Sequence, residues 1–210
     1  MKGLLEKDFA LLMQRKRVFL FLAAWAVVMS FTMEEGSFVV SWMAIIGAFF
    51  AISSLAYDEY DNCLPFLMSL PIERKTYAKE KYLFGFLCGF TSWLFAFVVY
   101  VCAALIRGNN LNIANEIVSL LIVIPAFVLL IDFSLPINIK FGSERGRIIV
   151  LVIWAVVFGA LMFLGDSFKL SIPTIPVSMP IAVAIISVLA IAITFISLSI
   201  SSRIMDSKEF

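Results

Sequence analysis

The chain has 210 residues, of which 62% are hydrophobic and only 15% are charged, with a formal net charge of +1. Soluble domains are usually about 45–50% apolar and about 25% charged, and a globule of this size cannot enclose so much apolar surface. The composition therefore excludes a soluble globular protein and indicates an integral membrane protein. No nucleic acid is expected among its partners.

Six apolar runs are long enough, or nearly so, to cross about 30 Å of hydrocarbon as helices, which takes about 20 residues. We predict an all-α membrane protein that forms a single transmembrane domain over residues 1–210. A β-barrel would require alternating segments of about ten residues, and the sequence contains none. The predicted spans are residues 18–33, 38–57, 82–106, 114–136, 147–165 and 177–200.

The basic residues divide unequally between the two sides of these six spans. One side carries only Arg107 and Lys169. The other side carries fourteen: Lys2, Lys7, Arg15, Lys16, Arg17, Arg74, Lys75, Lys79, Lys81, Lys140, Arg145, Arg147, Arg203 and Lys208. Because Lys and Arg stay on the cytoplasmic side of membrane proteins, we predict that both termini are cytoplasmic.

The first 16 residues have the pattern of an amphipathic helix. Leu5, Phe9, Leu12 and Met13 fall on one helical stripe, while charged residues lie elsewhere. This pattern is typical of a helix in the membrane interface. A solvated turn that happens to contain leucines is the alternative, and we favour the interfacial helix because no soluble domain is available to cover its apolar face.

Residues that could support catalysis are scarce. The chain has no His, so histidine-based triads and zinc sites are excluded. It also has no G-x-x-x-x-G-K-[ST] loop, so it lacks the usual means of holding ATP phosphates. Its three cysteines form no recognisable metal site. We therefore predict no catalytic residue, no bound metal and no cofactor in this chain.

Asp132 is an acidic residue within the fourth predicted span, toward its cytoplasmic end. A carboxylate within the membrane is costly and by default indicates a functional site. The alternative is a buried polar anchor, satisfied by Ser134, by Asn138 or by a neighbouring helix. We favour the anchor over an ion or proton relay, because no other predicted span contains a clear acid that could serve as a relay partner.

Residues 58–81 connect the second and third predicted spans. The connection begins with acidic residues, continues with the apolar piece LPFLMSL and ends with the basic sequence IERKTYAKEKY. That basic end would extend the third span into the cytoplasm, with Pro71 near its first turn, where a missing N–H is harmless. The apolar piece is too short to span a bilayer, so we expect it to lie across the mouth of the bundle. An ordinary charged loop is the alternative.

Four stretches, taken in order, resemble one protein family. They are MKGLLEKDFALL at the start, YDE at residues 57–59, SLPIERKTYAKEKY at residues 69–82 and INIKFGSERGRII at residues 137–149. They are similar to sequences in the small six-helix permease subunits of bacterial ATP-binding-cassette (ABC) transporters of the type-2 exporter class. The resemblance covers nearly the whole chain, although none of these stretches is catalytic.

The resemblance implies a non-catalytic subunit of the bacterial cytoplasmic membrane. Two permease copies, identical or closely related, would pair and dock on two cytoplasmic ATPase subunits, which would bind ATP and Mg²⁺. The amphipathic start would be an elbow helix, and the segment around Leu64 to Leu70 would be the coupling helix. The ATPase-coupling residues would be Asp58, Glu59, Asn62, Leu64, Phe66, Leu67, Ser69, Leu70, Pro71 and Arg74.

Close relatives within this group resemble exporters of amphipathic cytolytic or antimicrobial peptides, which are the expected substrates along with other hydrophobic compounds. The abundant apolar and aromatic side chains suit such cargo. Two other functions remain open at this point. One is an ATP-independent secondary transporter or channel that uses Asp132, and the other is a membrane assembly or immunity factor without transport activity.

Overall fold

The computed structural model describes residues 1–33, 36–60, 63–70, 72–107, 120–168 and 179–208. Within these ranges the chain is helical and contains no β-strand, in agreement with the predicted all-α class. The helices are α1 (Lys2–Met13), α2 (Lys16–Thr32), α3 (Gly36–Glu59), α4 (Cys63–Ser69), α5 (Arg74–Arg107), α6 (Val123–Phe141), α7 (Ser143–Phe168) and α8 (Met179–Ser207).

Four of these helices are long and apolar enough to cross a membrane: residues 36–59, 74–107, 123–141 and 180–207. This finding confirms an integral membrane protein. The two other predicted spans correspond to α2, which has 17 residues, and to α7, which has 26. The count of six crossings and the cytoplasmic position of both termini remain predictions, and Lys169 lies outside the described residues.

Helix α5 is longer than the span predicted for it. The prediction covered residues 82–106, whereas the helix has 34 residues and begins at Arg74. At 1.5 Å per residue it is about 51 Å long, well beyond the hydrocarbon thickness of about 30 Å. Hydropathy marks only the apolar part of a helix. The polar first turns, in which Tyr77, Ala78, Glu80 and Lys81 are buried, correspond to the predicted helical extension of the third span.

The core of the bundle is the close contact between α3 and α5. Gly47 of α3 lies against α5 so tightly that a Cβ atom would sit 2.7 Å from the carbonyl oxygen of Cys88. Gly85 and Gly89 of α5 are equally confined, because added Cβ atoms would lie 2.9 Å from Ala51 and 2.8 Å from Phe127. These glycines let the helix backbones approach, which is how membrane helices gain packing energy.

Helices α6 and α8 are joined at a proline. Pro136 lies inside α6 and has no N–H with which to bond the carbonyl of Asp132, four residues earlier. The hydroxyl of Ser197 in α8 donates a hydrogen bond to that carbonyl oxygen instead. The backbone group that the proline leaves free is therefore satisfied by a side chain of the neighbouring helix, as hydrocarbon surroundings require.

Arg107 ends α5 by capping another helix. Its guanidinium donates hydrogen bonds to the carbonyl oxygens of Ser30, at 2.5 Å, and Met33, at 2.9 Å. These carbonyls belong to the end of α2, where the last four have no partner within their own helix. The positive charge also complements the negative end of the α2 dipole. Arg107 thereby fixes α2 to the opposite end of α5 from α4.

We expect Gly47→Ala to destabilise the protein, whereas Gly159→Ala should not. A methyl group at position 47 would meet Ser92 and the α5 backbone, while nothing lies within 4 Å of the corresponding position at Gly159. Overpacking of this kind costs about 1–3 kcal/mol. Thermal unfolding of the two purified variants measures the difference, and equal melting temperatures would show that α3 and α5 are not held at this distance.

Candidate functional site

Helix α4 closes one end of the bundle, and we call this region the α4 end. It comprises α4, the end of α3, the start of α5, the α6–α7 junction and the end of α8. Leu64 and Leu67 of α4 are buried, with 5% and 7% of their surfaces exposed. Leu64 contributes to a small apolar cluster together with Leu55, Tyr77, Ile139 and Met205. The inner face of α4 is therefore occupied by the protein's own helices.

The outer face of α4 is apolar and uncovered. Phe66 is 66% exposed, and Leu70, which directly follows the last residue of α4, is 41% exposed. Ser69, also exposed, uses its hydroxyl to donate a hydrogen bond to the carbonyl oxygen of Phe66 at 2.7 Å. Of the residues predicted for coupling, Phe66, Ser69 and Leu70 thus face outward, and Leu64 and Leu67 face inward. Asn62 and Pro71 lie outside the described residues.

A buried lysine joins three helices beside α4. The Nζ atom of Lys81 in α5 lies 2.6 Å from Oδ2 of Asp8 in α1 and 2.7 Å from Oδ2 of Asp58 in α3. It also donates a hydrogen bond to Oγ of Ser54 at 2.6 Å, and the Tyr77 hydroxyl donates one to Asp58 at 2.9 Å. Lys81 has no exposed side-chain surface. We call these five residues the Lys81 cluster.

Lys7 balances the charges of the cluster. Its ammonium group donates a hydrogen bond to Asp58 and lies 3.1 Å from Oδ1 of Asp8. Partial burial disfavours the charge of Lys7, but the bond and the attraction to Asp58 raise its pKa above the ordinary value. Burial likewise opposes ionisation of Asp8, yet the charge and hydrogen bond of Lys81 lower the pKa of Asp8. Both groups are therefore charged at neutral pH.

Glu80 adds a third acidic side chain to this buried region. The side chain is wholly buried, and its Oε2 atom lies 3.8 Å from Nζ of Lys81. Neither of its carboxyl oxygens has a hydrogen-bond partner in the described part of the chain. Burial of an unpaired charge is costly, and burial, only partly offset by the charge of Lys81, raises the pKa of Glu80 to about 7.

Two predicted coupling residues make contacts within the chain instead of facing outward. An oxygen of Glu59 accepts a hydrogen bond from the backbone N–H of Ser143 at 2.5 Å, and Lys208 lies 3.6 Å from the other oxygen. Arg74 donates hydrogen bonds to the carbonyl oxygens of Asp206, at 2.9 Å, and Lys208, at 3.0 Å. Glu59 thus connects α3 to α7, and Arg74 connects α5 to the end of α8.

Comparison with known proteins assigns the chain to a family. The profile described as ABC-2 family transporter protein matches residues 3–206. The chain belongs to the ABC-2 transporter family. The match extends from α1 into the last described helix and supports the predicted transmembrane ABC permease. No curated protein and no solved structure matches the chain.

The predicted elbow helix of this ABC-2 family member is α1. Leu5 and Leu12 are half-buried and pack against the core, whereas Phe9 and Met13 are 41% and 66% exposed. The Phe9 ring also makes an edge-to-face contact with Phe84 of α5, with 5.3 Å between the ring centroids. Of the four apolar residues of the predicted stripe, two therefore face the bundle and two are exposed. Binding of the exposed pair to the membrane interface remains a prediction.

Asp132 is buried in the interior of the bundle between α6 and α8. Its Oδ2 atom accepts a hydrogen bond from the Thr194 hydroxyl of α8 at 2.7 Å. Of the three partners considered from the sequence, the neighbouring helix therefore supplies the hydrogen bond. Ser134 and Asn138 make no hydrogen bond to this carboxyl group in the described chain. Oδ1 of Asp132 has no partner among the described residues.

Sequence reasoning missed most of the Lys81 cluster. Lys81 was counted only as one of the cytoplasmic positive charges, and Ser54, Tyr77 and Asp8 were not singled out. A signal was nevertheless present, because Ser54 and Asp58, and likewise Tyr77 and Lys81, are spaced four residues apart. That spacing puts each pair on one face of its helix, and the short α4 hairpin brings the two faces together.

We expect Lys81→Met to destabilise this ABC-2 family protein far more than Lys79→Met, which removes the same charge from an exposed position. Loss of one partner from a buried ion pair leaves uncompensated charge and costs about 3–5 kcal/mol. The melting temperatures of the two purified variants provide the measurement. If both variants melt together with the unmodified protein, the buried cluster contributes nothing to the fold.

Proposed function

We propose that the chain is the permease subunit of a bacterial ABC exporter, driven by a separate cytoplasmic ATPase. The family assignment supports the part of this proposal that makes the chain a transmembrane ABC permease. In the proposed assembly, two permease copies form the substrate path with six crossings each and with both termini in the cytoplasm. Two ATPase subunits bind ATP and Mg²⁺ and dock on the α4 end. The permease itself performs no chemistry.

The divided surface of α4 is the observation that carries the proposal. Its inner side chains, Leu64 and Leu67, hold the helix against the bundle, so a force applied to α4 reaches the other helices directly. The outer side chains, Phe66 and Leu70, offer exposed apolar surface at the α4 end of the bundle, which is rich in basic residues. An apolar anchor set in a polar rim is typical of docking surfaces between proteins.

The Lys81 cluster provides a route from α4 to the helices within the membrane. It joins α3, which leads into α4, to α5, which leads out of it, and it holds α1 against both. When ATP binding moves the docked ATPase subunits, these three helices would shift as a rigid body rather than bend at the hairpin. Rigid-body rotation about an interface is a common way in which small shifts become large ones.

Amphipathic or antimicrobial peptides and other hydrophobic compounds are the proposed cargo. The family resemblance supports this class, and so does the apolar character of the chain, which offers few charged side chains within its spans. Such a cargo needs a path with apolar walls and few fixed polar contacts. The direction of transport in the proposal is outward, from the cytoplasmic leaflet or cytoplasm to the other side of the membrane.

The first test is co-purification with an ATPase encoded beside the gene, followed by measurement of ATPase activity in lipid nanodiscs. Phe66→Ala and Leu70→Ala should abolish stimulation by the permease while leaving its melting temperature unchanged, because both side chains are exposed. Phe141→Ala is the matched control, since Phe141 is also exposed at the α4 end but lies outside α4. Leu67→Ala should lower both stimulation and melting temperature, because it unseats the helix.

Failure to recover any ATPase, or unchanged stimulation in the two outer-face variants, would contradict docking through α4. The control Phe141→Ala should retain at least most of the stimulation. A general loss in all three variants would instead show that the assay reports the integrity of the whole α4 end.

An ATP-independent transporter is the second candidate, and the unpartnered Oδ1 atom of buried Asp132 is the observation that favours it. Under this alternative, Asp132→Asn should abolish transport by the chain alone, because a neutral amide cannot bind and release a proton or cation. Under the ABC proposal, the same variant should retain ATPase stimulation and ATP-dependent transport. Uptake into vesicles with and without ATP distinguishes the two.

A further inference from the structure

Beside the Lys81 cluster lies a cavity that none of the proposed coupling steps uses. It has a volume of about 330 Å³ and is lined by Arg15, Ser53, Ala56, Tyr57, Tyr60 and Arg147. The two arginines come from the α1–α2 junction and from the first turns of α7, and the two tyrosines come from the end of α3. Three separate parts of the fold thus contribute polar side chains to one hollow.

The electrostatics of this cavity favour an anion. Two guanidinium groups line it, and among the described residues no acidic side chain does. The Arg15 guanidinium lies over the Tyr57 ring, 5.0 Å from its centroid, an arrangement that holds the charge in place without neutralising it. Arg147 has no hydrogen bond or ion pair to any residue in the described ranges. Two positive charges that line one cavity repel each other, and an anion between them would remove that repulsion.

A second, larger cavity of about 770 Å³ adjoins the first and shares Ala56, Tyr60 and Arg147 with it. Here the wall does contain acids, Glu59 and Glu144, together with a third arginine, Arg145. Glu59 is already engaged by the Ser143 N–H and by Lys208. Arg147 therefore lines both cavities, whereas Glu59 and Glu144 line only the larger one.

The surroundings indicate that the anion belongs to an amphiphile. Arg15 and Arg147 stand where α2 and α7 change from polar to apolar sequence, which is where lipid headgroups meet hydrocarbon. Immediately beyond Arg147, the side chains of Ile148, Leu151 and Val152 are 63%, 61% and 55% exposed. Acyl chains would cover this apolar surface while a phosphate group occupied the arginine pair.

We propose that this cavity binds the phosphate headgroup of an anionic phospholipid. Arg15 and Arg147 contact the phosphate through the planar, multiply donating guanidinium group that suits phosphate oxygens. The hydroxyl groups of Tyr57, Tyr60 and Ser53 are available to donate further hydrogen bonds. Basic pockets between membrane helices on the cytoplasmic side are a recognised means of holding such headgroups. This proposal goes beyond the transport function and does not depend on it.

The test compares lipid binding by the full-length protein and three variants. Purified protein in neutral detergent is titrated with phosphatidylglycerol, phosphatidylcholine or inorganic phosphate, and bound lipid is counted by native mass spectrometry alongside the melting temperature. We expect phosphatidylglycerol to remain bound and to raise the melting temperature, and the other two to do neither. Arg15→Gln/Arg147→Gln should weaken phosphatidylglycerol binding about tenfold or more, because hydrogen bonds to charged groups are worth at least a decade in affinity.

Arg17→Gln/Arg203→Gln is the matched control, since it removes the same charge from exposed positions outside the cavity. It should bind phosphatidylglycerol as the unmodified protein does. The single variant Arg147→Gln removes no interaction within the described chain, so it should fold normally and still bind less lipid. The proposal is overturned if the control variant loses phosphatidylglycerol to the same extent as the cavity variants. It is also overturned if Arg147→Gln and Arg15→Gln/Arg147→Gln still bind phosphatidylglycerol normally, or if inorganic phosphate alone raises the melting temperature equally.

Discussion

The fold at the α4 end depends on one buried ammonium group. Lys81 has no exposed side-chain surface, and its Nζ atom lies within 2.7 Å of carboxylate oxygens from two other helices. A lysine is almost never fully buried unless it is paired. Here the pairing is what holds α1 against α3 and α5, because Asp8 is one of only two buried residues of α1. The position of α1 thus depends on an ion pair as well as on the apolar contacts of Leu5, Leu12 and Phe9.

This arrangement leaves only part of the connection between α3 and α5 free to contact a partner. The acidic residues at its beginning resemble docking residues in sequence, but Asp58 belongs to the buried cluster and Glu59 binds the start of α7. What remains for a partner is a narrow apolar face around Phe66. In the proposed exporter, the ATPase would therefore push on the small exposed surface around Phe66, and the Lys81 cluster would transmit this movement to α1, α3 and α5.

Much of this structure is predictable from sequence, and the limits have physical causes. Apolar runs identify the long helices because the membrane demands about 20 apolar residues per crossing, and a short apolar piece bounded by turn residues identifies α4. Which side of α4 faces the bundle is not predictable, because both sides are apolar and only tertiary contacts distinguish Leu67 from Phe66. The burial of Lys81 is likewise hidden, since the positive-inside pattern explains its charge equally well.

The proline in α6 has a consequence for movement. Because the Asp132 carbonyl has no bond within its own helix, the Ser197 hydroxyl is its substitute, and Thr194 holds the carboxyl group one turn away. Sliding α8 along α6 would strip both oxygens of their donors in a medium that supplies no water. These two contacts favour movement of α6 and α8 as one unit, so the proposed alternation between inward and outward states would bend the bundle elsewhere.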